Sequence, residues 1–395
     1  MKMSFPEVVI LDGVRTAIGT FGGSLVNTPP RALGATVIRE ALTRSRVDPT
    51  AVDEVIFGCV GQIGEDAYIS RTAAVDAGIP VTATAHTVNR LCASGLQALL
   101  TATQWLRLDD ATVVVAGGVE NMSRHPYYVR NRWGRRLQDG VLEDGLLAIL
   151  ADPFERYQMG MTAENVAERF QINRDEQDRI AYDSQIRARR AMDEGRFRDQ
   201  IVPIRVSRGH SEVLFTVDEH PRSTSLDKLQ QLPPVFKSGG TVTAGNSSGI
   251  NDGAAALVLT TAHEAERQRW EPRARIVSYA VTGIDPAIMG YAPKDAMQQA
   301  LKRAQLSWND IDLIELNEAF AAQVAAVVRD TPLDWERTNV NGGAIALGHP
   351  VGATGAILTV KLLYELERIR GRYGMVSLCI GGGQGMALIV ENFRQ

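Results

Sequence analysis

Three side chains capable of nucleophilic or proton-transfer chemistry stand beside turns that lead into or out of regular elements. Cys92 lies in the run Asn89–Gly95, after a strand-like segment and at the start of a helix-like one. The unpaired N–H groups and positive dipole end of a helix N-terminus lower the pKa of a thiol and favour the thiolate. Cys92 is therefore a candidate nucleophile, although a lone cysteine is more often a buried structural residue.

Two further groups have the chemistry that a nucleophilic thiol needs. His349 stands in the glycine-dense loop 341–350, which leads into a helix-like stretch, and Cys379 ends an apolar strand-like run. The glycines after Cys379 have backbone N–H groups that could line an oxyanion site. Asn317 follows another strand-like run, at the carboxyl end where α/β proteins place ligands.

Length and composition limit the classes of protein. A chain of 395 residues with 45% hydrophobic and 22% charged residues predicts a folded protein of two to three domains. Its formal charge of 42 − 46 = −4 gives no net attraction to nucleic acid or an anionic membrane. Three cysteines are too few for a disulfide framework. No secretory signal or membrane-length apolar run is visible, so we expect a cytoplasmic protein.

Short β-branched runs alternate with longer helix-like stretches. This alternation predicts an α/β fold with a mainly parallel sheet covered by helices on both faces. The predicted strands are 8–11, 54–57, 112–116, 313–316 and 376–378, and the predicted helices are 31–45, 95–107 and 355–366.

The chain also contains an internal repeat. The segment 32–57, ending ALTRSRVDPTAVDEVIF, aligns without a gap with the segment 259 residues later, ending ALKRAQLSWNDIDLIEL. The match continues with small insertions and keeps its elements in the same order, which chance similarity between two amphipathic helices does not explain. A duplication decides the architecture before any single element does.

The repeat predicts a division of the chain. One half comprises residues 1–121 plus part of 241–271, and the other comprises residues 272–395. Between them, 122–240 is predicted to be an inserted lobe, because its composition shifts toward arginine clusters and Pro-Pro or Gly-Gly pairs. The strand-like segments 241–243 and 255–259 are expected to rejoin the sheet.

These residues together resemble the thiolase family, in the group of acetyl-CoA acetyltransferases and 3-ketoacyl-CoA thiolases, over essentially the whole length. The matching motifs are Asn89–Gly95, Gly117–Ser123, Asn317–Ala322, Asn341–Pro350 and Cys379–Gly383. The resemblance implies a duplicated fold of two similar βαβαβ-type halves in five layers, α-β-α-β-α, with an inserted loop lobe for CoA binding and oligomerisation.

The resemblance also implies catalytic roles. Cys92 would be the acylated nucleophile, activated by His349, and Cys379 would be the base that deprotonates the second acyl-CoA. Asn317 would fix a water that binds one thioester oxyanion together with His349. The N–H groups of Cys92 and Gly381 would hold the other oxyanion. The implied reaction is the reversible condensation of two acetyl-CoA molecules to acetoacetyl-CoA and CoA, with no metal or other cofactor.

Substrate contacts follow from the same resemblance. Ser248 is the best match for a pantetheine contact. The other implied contacts to CoA or the acyl group are Ala244, Gly249, Met159, Gln158, Phe236, Met289, Ala319, Phe320, Arg222 and Lys228. The implied partners are acyl-CoA substrates and further copies of the chain, as a homotetramer or homodimer, without nucleic acid or a membrane. Cys59 fits no motif and is expected in the core.

One departure from the family pattern bears on specificity. Many acetoacetyl-CoA thiolases have His-Met-Gly where this chain has Gln158-Met159-Gly160. The change leaves open an alternative function, a 3-ketoacyl-CoA thiolase acting mainly on longer chains.

Rival classes have less support. The string Gly245-Asn246-Ser247-Ser248-Gly249 has the G-x-S-x-G form of a serine-hydrolase elbow, but a turn and a strand-like run follow where a helix is needed. A protein that binds acyl-CoA without turnover would usually lack Cys92, His349 or Cys379. Decarboxylating condensing enzymes of this fold have a second histidine in place of Cys379. The arginines at 124, 130, 132, 135 and 136 are better interpreted as a solvated or subunit-contact loop than as a nucleic-acid surface.

Overall fold

The computed structural model describes residues 5–134, 136–137, 139–209 and 211–394. The strands are β1 Val8–Thr16, β2 Gly19–Thr20, β3 Glu54–Gly58, β4 Thr84–Val88, β5 Val113–Asn121, β6 Tyr127–Val129, β7 Leu142–Asp144, β8 Ile201–Val202, β9 Ile204–Arg208, β10 Ser211–Phe215, β11 Asn251–Thr261, β12 Ala274–Gly283, β13 Leu313–Leu316, β14 Tyr373–Ile380 and β15 Gln384–Asn392. The helices are α1 Pro30–Ser45, α2 Ile69–Asp76, α3 Ser94–Leu108, α4 Gly145–Ile149, α5 Gly160–Arg169, α6 Arg174–Asp193, α7 Leu226–Gln230, α8 Ala262–Gln268, α9 Pro293–Ala304, α10 Ala321–Arg329, α11 Ala344–Leu347 and α12 Thr354–Ile369.

The large sheet has the strand order β13-β14-β15-β12-β1-β11-β5-β3-β4. The sheet has two parts, one of β1, β11, β5, β3 and β4 and the other of β12, β15, β14 and β13. A short antiparallel ladder between β1 and β12, at Val9–Arg275 and Ile10–Ala274, joins these two parts. The expectation of a mainly parallel sheet is wrong. The central strands pair antiparallel, in the order β5, β11, β1, β12, β15 and β14. Parallel pairing lies mainly toward the two ends of the sheet. Strands β14 and β15 form a hairpin, which reverses the chain without a crossover helix.

Helices cover both faces of the sheet. Successive strand residues point to opposite faces, and on β3 the ring of Phe57 lies against Gly34 of α1, whereas Gly58 lies against the start of α3. Helices α3 and α12 contact each other closely, since Gly355 of α12 lies against Leu96 of α3. Helix α12 contacts β14 and also β11, while α9 packs on β12 and β15. The paired helices α3 and α12 therefore lie between the two parts of the sheet.

The internal repeat is visible in the backbone. Helix α1 ends at Arg46 in the left-handed conformation (φ 55°), and α9 ends 259 residues later at Gln305 (φ 57°). Helices α3 and α12 likewise end at left-handed Asp109 and Arg370. The helices of the two copies thus end at equivalent positions, and α3 and α12 begin just after the candidate residues Cys92 and His349.

The segment between the repeats contains more regular structure than a loop lobe. Helices α5 and α6 lie within 122–240, and both pack on α10. The predicted strand 241–243 is wrong, because Thr243 makes only a single bridge with Pro234. The predicted strand 255–259 is confirmed within β11. The proposed domain boundaries themselves stay a prediction.

The arginine-rich loop adjoins a small hairpin of β6 and β7. Arg130 forms an exposed ion pair with Glu143, with 2.7 Å between Nε and Oε2. Arg135 lies outside the described residues, so the cluster as a whole stays untested.

Candidate active site

Cys92 lies in a tight turn between β4 and α3. Leu91 has a positive φ of 44°, and its N–H donates to Asn89 Oδ1 over 3.0 Å. The Ser94 hydroxyl accepts from the Arg90 N–H (2.8 Å) and donates to the Leu91 carbonyl (2.7 Å). These bonds fix the strained turn at the helix start, where Cys92 is half-buried and unbonded to other cysteines.

The expected lowering of the Cys92 pKa is wrong. Burial raises the pKa of the Cys92 thiol, although the backbone N–H of Gly381 and its own N–H, which donate to the sulfur, lower it in part. Desolvation disfavours the thiolate, and here it outweighs the donors at the helix start. Cys92 therefore rests as a thiol at neutral pH and needs a base to become a nucleophile.

His349 is a buried base held from both sides. Its backbone N–H donates to Asn251 Oδ1 over 3.0 Å. Gly348 before it has φ 102°, and a Cβ at this position would overlap the Asn251 amide. The ring Nδ1 lies 2.6 Å from Thr354 Oγ1, and Thr354 Oγ1 lies 2.9 Å from the Pro350 carbonyl oxygen. The backbone and the ring of His349 are thus both oriented.

Asn317 meets the other side of the imidazole. Its Nδ2 lies 3.5 Å from His349 Nε2, and its backbone N–H donates to the Ser377 carbonyl over 2.9 Å. Asn317 Oδ1 is buried and has no hydrogen-bond partner among the described residues. Burial lowers the pKa of His349 to about 4, so the ring is neutral at physiological pH and can accept a proton.

Cys379 is fully buried at the end of β14. Burial, and second the charge of Cys92, raise the pKa of the Cys379 thiol. Cys379 stands two residues before Gly381, which lines the same cavity as Cys92. The following turn needs glycine, because Gly382 and Gly383 have φ of 83° and 85° and a Cβ on Gly383 would overlap the Ile284 carbonyl.

Asn317 and Cys379 are buried and do not line the cavity that Cys92, His349 and Gly381 share. Its volume is about 80 Å³, and its surface is mostly apolar. The lining residues are Val60, Leu91, Cys92, Ile149, Leu150, Met159, Ser248, Met289, Ala319, Phe320, His349, Val351 and Gly381. The structure thus brings the predicted nucleophile and its base together with five predicted substrate contacts.

Other predicted contacts lie outside this cavity. Phe236 packs edge-on against Phe320, with ring centroids 6.2 Å apart. The side chain of Gln158 donates to the Leu147 carbonyl over 3.3 Å. Ala244, Arg222 and Lys228 are exposed, and Gly249 packs against His220. Their roles in binding CoA stay predictions.

Sequence reasoning missed five cavity residues, Val60, Leu91, Ile149, Leu150 and Val351. Leu91 and Val351 are neighbours of Cys92 and His349 in sequence, so their proximity to the site could have been read from the motifs. Val60, Ile149 and Leu150 carry no such signal, because only the tertiary packing of β3 and α4 brings them there. Thr354, five residues after His349, was also missed.

The serine-hydrolase alternative lacks its geometry. The Ser247 hydroxyl donates to the Thr243 carbonyl over 2.7 Å, and Ser247 pairs with Phe320 in a bridge. The chain then enters β11 instead of a helix. In the part of the chain that the structure covers, no three or more His, Cys, Asp or Glu side chains are arranged to hold a metal ion, and no helix is long and apolar enough to cross a membrane.

A thiol beside a neutral imidazole, a second buried thiol and backbone N–H donors around an apolar cavity define an acyl-transfer site. Family models agree with this class. The thiolase N-terminal domain matches residues 8–263, and the thiolase C-terminal domain matches residues 270–392.

Individual relatives cover nearly the whole chain. The beta-ketothiolase BktB of Cupriavidus necator is 52% identical over 98% of this chain and 99% of its own length. The cytosolic acetyl-CoA acetyltransferase of Mus musculus is 46% identical over 99% and 100%. The crystal structure of human mitochondrial 3-ketoacyl-CoA thiolase in complex with CoA superposes with a TM-score of 0.95, at 45% identity, and covers 98% of each chain.

The chain therefore belongs to the thiolase family. This confirms the duplicated α/β fold expected from the repeat and identifies the protein as an acyltransferase.

Proposed function

We propose that this enzyme catalyses the reversible condensation of two acetyl-CoA molecules to acetoacetyl-CoA and CoA through an acetyl group on Cys92. The carrying observation is the single cavity that holds Cys92, His349 and Gly381, with the Cys379 thiol electrostatically coupled to Cys92. The names of the relatives support the substrate class, since they include acetyl-CoA acetyltransferase and beta-ketothiolase.

In the first half-reaction the Cys92 sulfur attacks the thioester carbonyl of acetyl-CoA. His349 Nε2 takes the thiol proton and passes it to the departing CoA sulfur, so that the Sγ–C bond forms as the C–S bond to CoA breaks. The N–H groups of Cys92 and Gly381 donate to the Cys92 sulfur, which supports their assignment as the donors to the oxyanion that forms beside it. The neutral His349 ring is the base that a protonated thiol requires.

In the second half-reaction Cys379 acts as a thiolate, after its own proton has left to solvent, and removes a proton from the α-carbon of another acetyl-CoA. The carbanion attacks the acetyl carbonyl, the new C–C bond forms, and the bond between the carbonyl carbon and the Cys92 sulfur breaks. The departing Cys92 thiolate takes a proton back from solvent, which restores the two resting thiols.

Replacing Cys379 by Ser tests the assignment of Cys92 as the nucleophile and Cys379 as the base. The variant should form acetyl-enzyme from acetyl-CoA, measured by intact-protein mass spectrometry, and should lose condensation by at least about 10³-fold, because a hydroxyl is a far weaker acid than a thiol. Cys59→Ser is the matched control, since Cys59 is equally buried and lines no part of the cavity. Condensation retained by the Cys379 variant would remove it as the base.

A second candidate function is thiolysis of longer 3-ketoacyl-CoA substrates. Part of the cavity that contains Cys92 has a wall of hydrocarbon side chains, formed by Val60, Leu91, Ile149, Leu150 and Val351. A hydrocarbon wall beside the nucleophile favours acceptance of acyl groups with a few more methylenes.

Chain length can be measured directly as kcat/KM for thiolysis of 3-ketoacyl-CoA substrates from four to ten carbons. Ile149→Trp, which fills the wall, should lower the six-carbon rate at least tenfold relative to acetoacetyl-CoA. Leu147→Trp is the control, because Leu147 lies on the same helix and is exposed. Equal loss for both substrates would contradict a chain-length role for this wall. Gln158 contacts the backbone of Leu147 and does not line the cavity, so its influence on chain length would be indirect.

Assembly and location are further parts of the proposal. Large apolar side chains are exposed around the β6–β7 hairpin, among them Tyr127, Val129, Trp133 and Leu142. Such a patch supports contact with other copies of the chain, as a homotetramer or homodimer. Light scattering of the purified enzyme measures the state. The cytosolic relative supports a cytoplasmic location.

A further inference from the structure

We propose that Thr354 is a positioning residue that fixes the tautomer of His349, with the proton on Nδ1 and a free lone pair on Nε2 facing Cys92 and the substrate. This inference rests on the proposed function only for its kinetic consequence. The tautomer itself is a property of the resting enzyme.

The hydroxyl of Thr354 has one proton and two neighbours. Its Oγ1 lies 2.9 Å from the Pro350 carbonyl, four residues earlier, and 2.6 Å from His349 Nδ1. A threonine at this point of a helix commonly donates to the carbonyl four residues back. When its proton lies on that bond, Oγ1 can only accept from the imidazole, so Nδ1 must carry the ring proton.

On the opposite side of the ring, His349 Nε2 lies 3.5 Å from the amide of Asn317, whose Oδ1 has no hydrogen-bond partner among the described residues. The amide can present either its NH₂ group or its oxygen to Nε2, so this contact is compatible with both tautomers and the assignment rests on Thr354. The side chains of Thr354 and Asn317 are both almost completely buried, so water does not compete freely for these contacts.

The tautomer decides whether His349 can act on Cys92. His349 lines the same cavity as Cys92, and Nδ1 is occupied by Thr354, so Nε2 is the nitrogen left for proton transfer. A base needs its lone pair on the nitrogen that reaches the acidic proton. With Nδ1 protonated, Nε2 takes the proton of Cys92 and the resulting imidazolium keeps its bond from Nδ1 to Thr354. The same Nε2–H then returns the proton to the CoA sulfur.

Helix α12 offers a matched control for this test. Thr359 is fully buried on the same helix, and its hydroxyl donates to the Gly355 carbonyl over 2.8 Å, four residues earlier. Thr354→Val and Thr359→Val each remove one buried helix hydroxyl at the same cost in shape. Thr354→Ser keeps the hydroxyl.

The decisive measurements are the rate of Cys92 acylation by acetyl-CoA and the ¹⁵N spectrum of the histidine rings in the full-length enzyme. We expect Thr354→Val to slow acylation by about 10–100-fold with little change in KM, Thr354→Ser to restore most of the rate, and Thr359→Val to match wild type. The wild-type spectrum should show His349 protonated on Nδ1, and the Thr354→Val spectrum should show a share of the Nε2–H form.

A wild-type His349 protonated on Nε2, or equal acylation rates for the two valine variants, would overturn the assignment. If Thr354→Val does not fold, as judged by thermal unfolding, the wild-type spectrum and the serine variant still decide it. Wild-type enzyme that shows the Nδ1–H tautomer but forms no acetyl-enzyme would refute the proposed function and leave the tautomer assignment intact.

Discussion

The resting state of Cys92 and His349 can be tested by the pH dependence of alkylation. Burial raises the pKa of Cys92 above its ordinary value of 9.0 and lowers that of His349 to about 4. At pH 7 the thiolate is then at most about 10^(7−9), or about 1%, of the enzyme. A preformed thiolate–imidazolium pair would instead be almost fully ionised. We therefore expect alkylation of Cys92 by iodoacetamide to rise about tenfold per pH unit between about pH 6 and 8.5.

The assay follows the Cys92 peptide by mass spectrometry after timed exposure to iodoacetamide in the absence of substrate. Cys59 and Cys379 are internal references, because both are almost completely buried and burial raises their pKa values. His349→Gln should keep the same slope, since a neutral ring does not hold a thiolate. A rate that is already at its plateau at pH 6, and that falls in the His349 variant, would refute the neutral pair.

Other predictions concern stability and backbone geometry. Glu315 Oε2 lies 2.8 Å from Lys361 Nζ, so Lys361→Met leaves Glu315 as a buried unpaired charge. The variant should lower the free energy of unfolding in urea by about 3–5 kcal/mol. Adding Glu315→Gln should recover much of the loss, and no recovery would contradict this account. The contribution of His220 and His349 to stability should fall as pH drops from about 6.5 to 4, since burial lowers their pKa values to about 4 and only the unfolded chain takes up these protons, whereas burial raises the pKa of Asp252 to about 6 and acts in the opposite direction. Each shift of 6.5 − 4 is worth at most about 3 kcal/mol, so His220→Gln should flatten the slope, and an unchanged slope would contradict the assignment. At Gly348, φ of 102° and the Asn251 amide leave no room for a Cβ. Gly348→Ala should therefore slow the acylation of Cys92 even where the variant stays folded. An acylation rate equal to that of the wild type would show that the loop is not constrained.

Much of the site could be predicted because the motifs are local. Cys92, His349 and Cys379 stand next to strand ends and helix starts, and the repeat assigns the first two to equivalent positions in the two halves. Helix bounds also followed closely from periodicity, as in α3, which was predicted as 95–107 and is observed as Ser94–Leu108. The strand directions did not follow, because alternation of strands and helices says nothing about a hairpin such as β14–β15.

The sequence by itself determined the family and the order of the elements, since both depend on residue type and spacing along the chain, and it supplied the prediction of which groups react. Only the tertiary structure decided the protonation of the site and the shape of its cavity. Burial reversed the pKa shift expected for Cys92, and packing of α4 brought Ile149 and Leu150 to the wall of the cavity that contains Cys92. Desolvation and cavity shape depend on which distant segments exclude water from the site, and no local pattern carries that information.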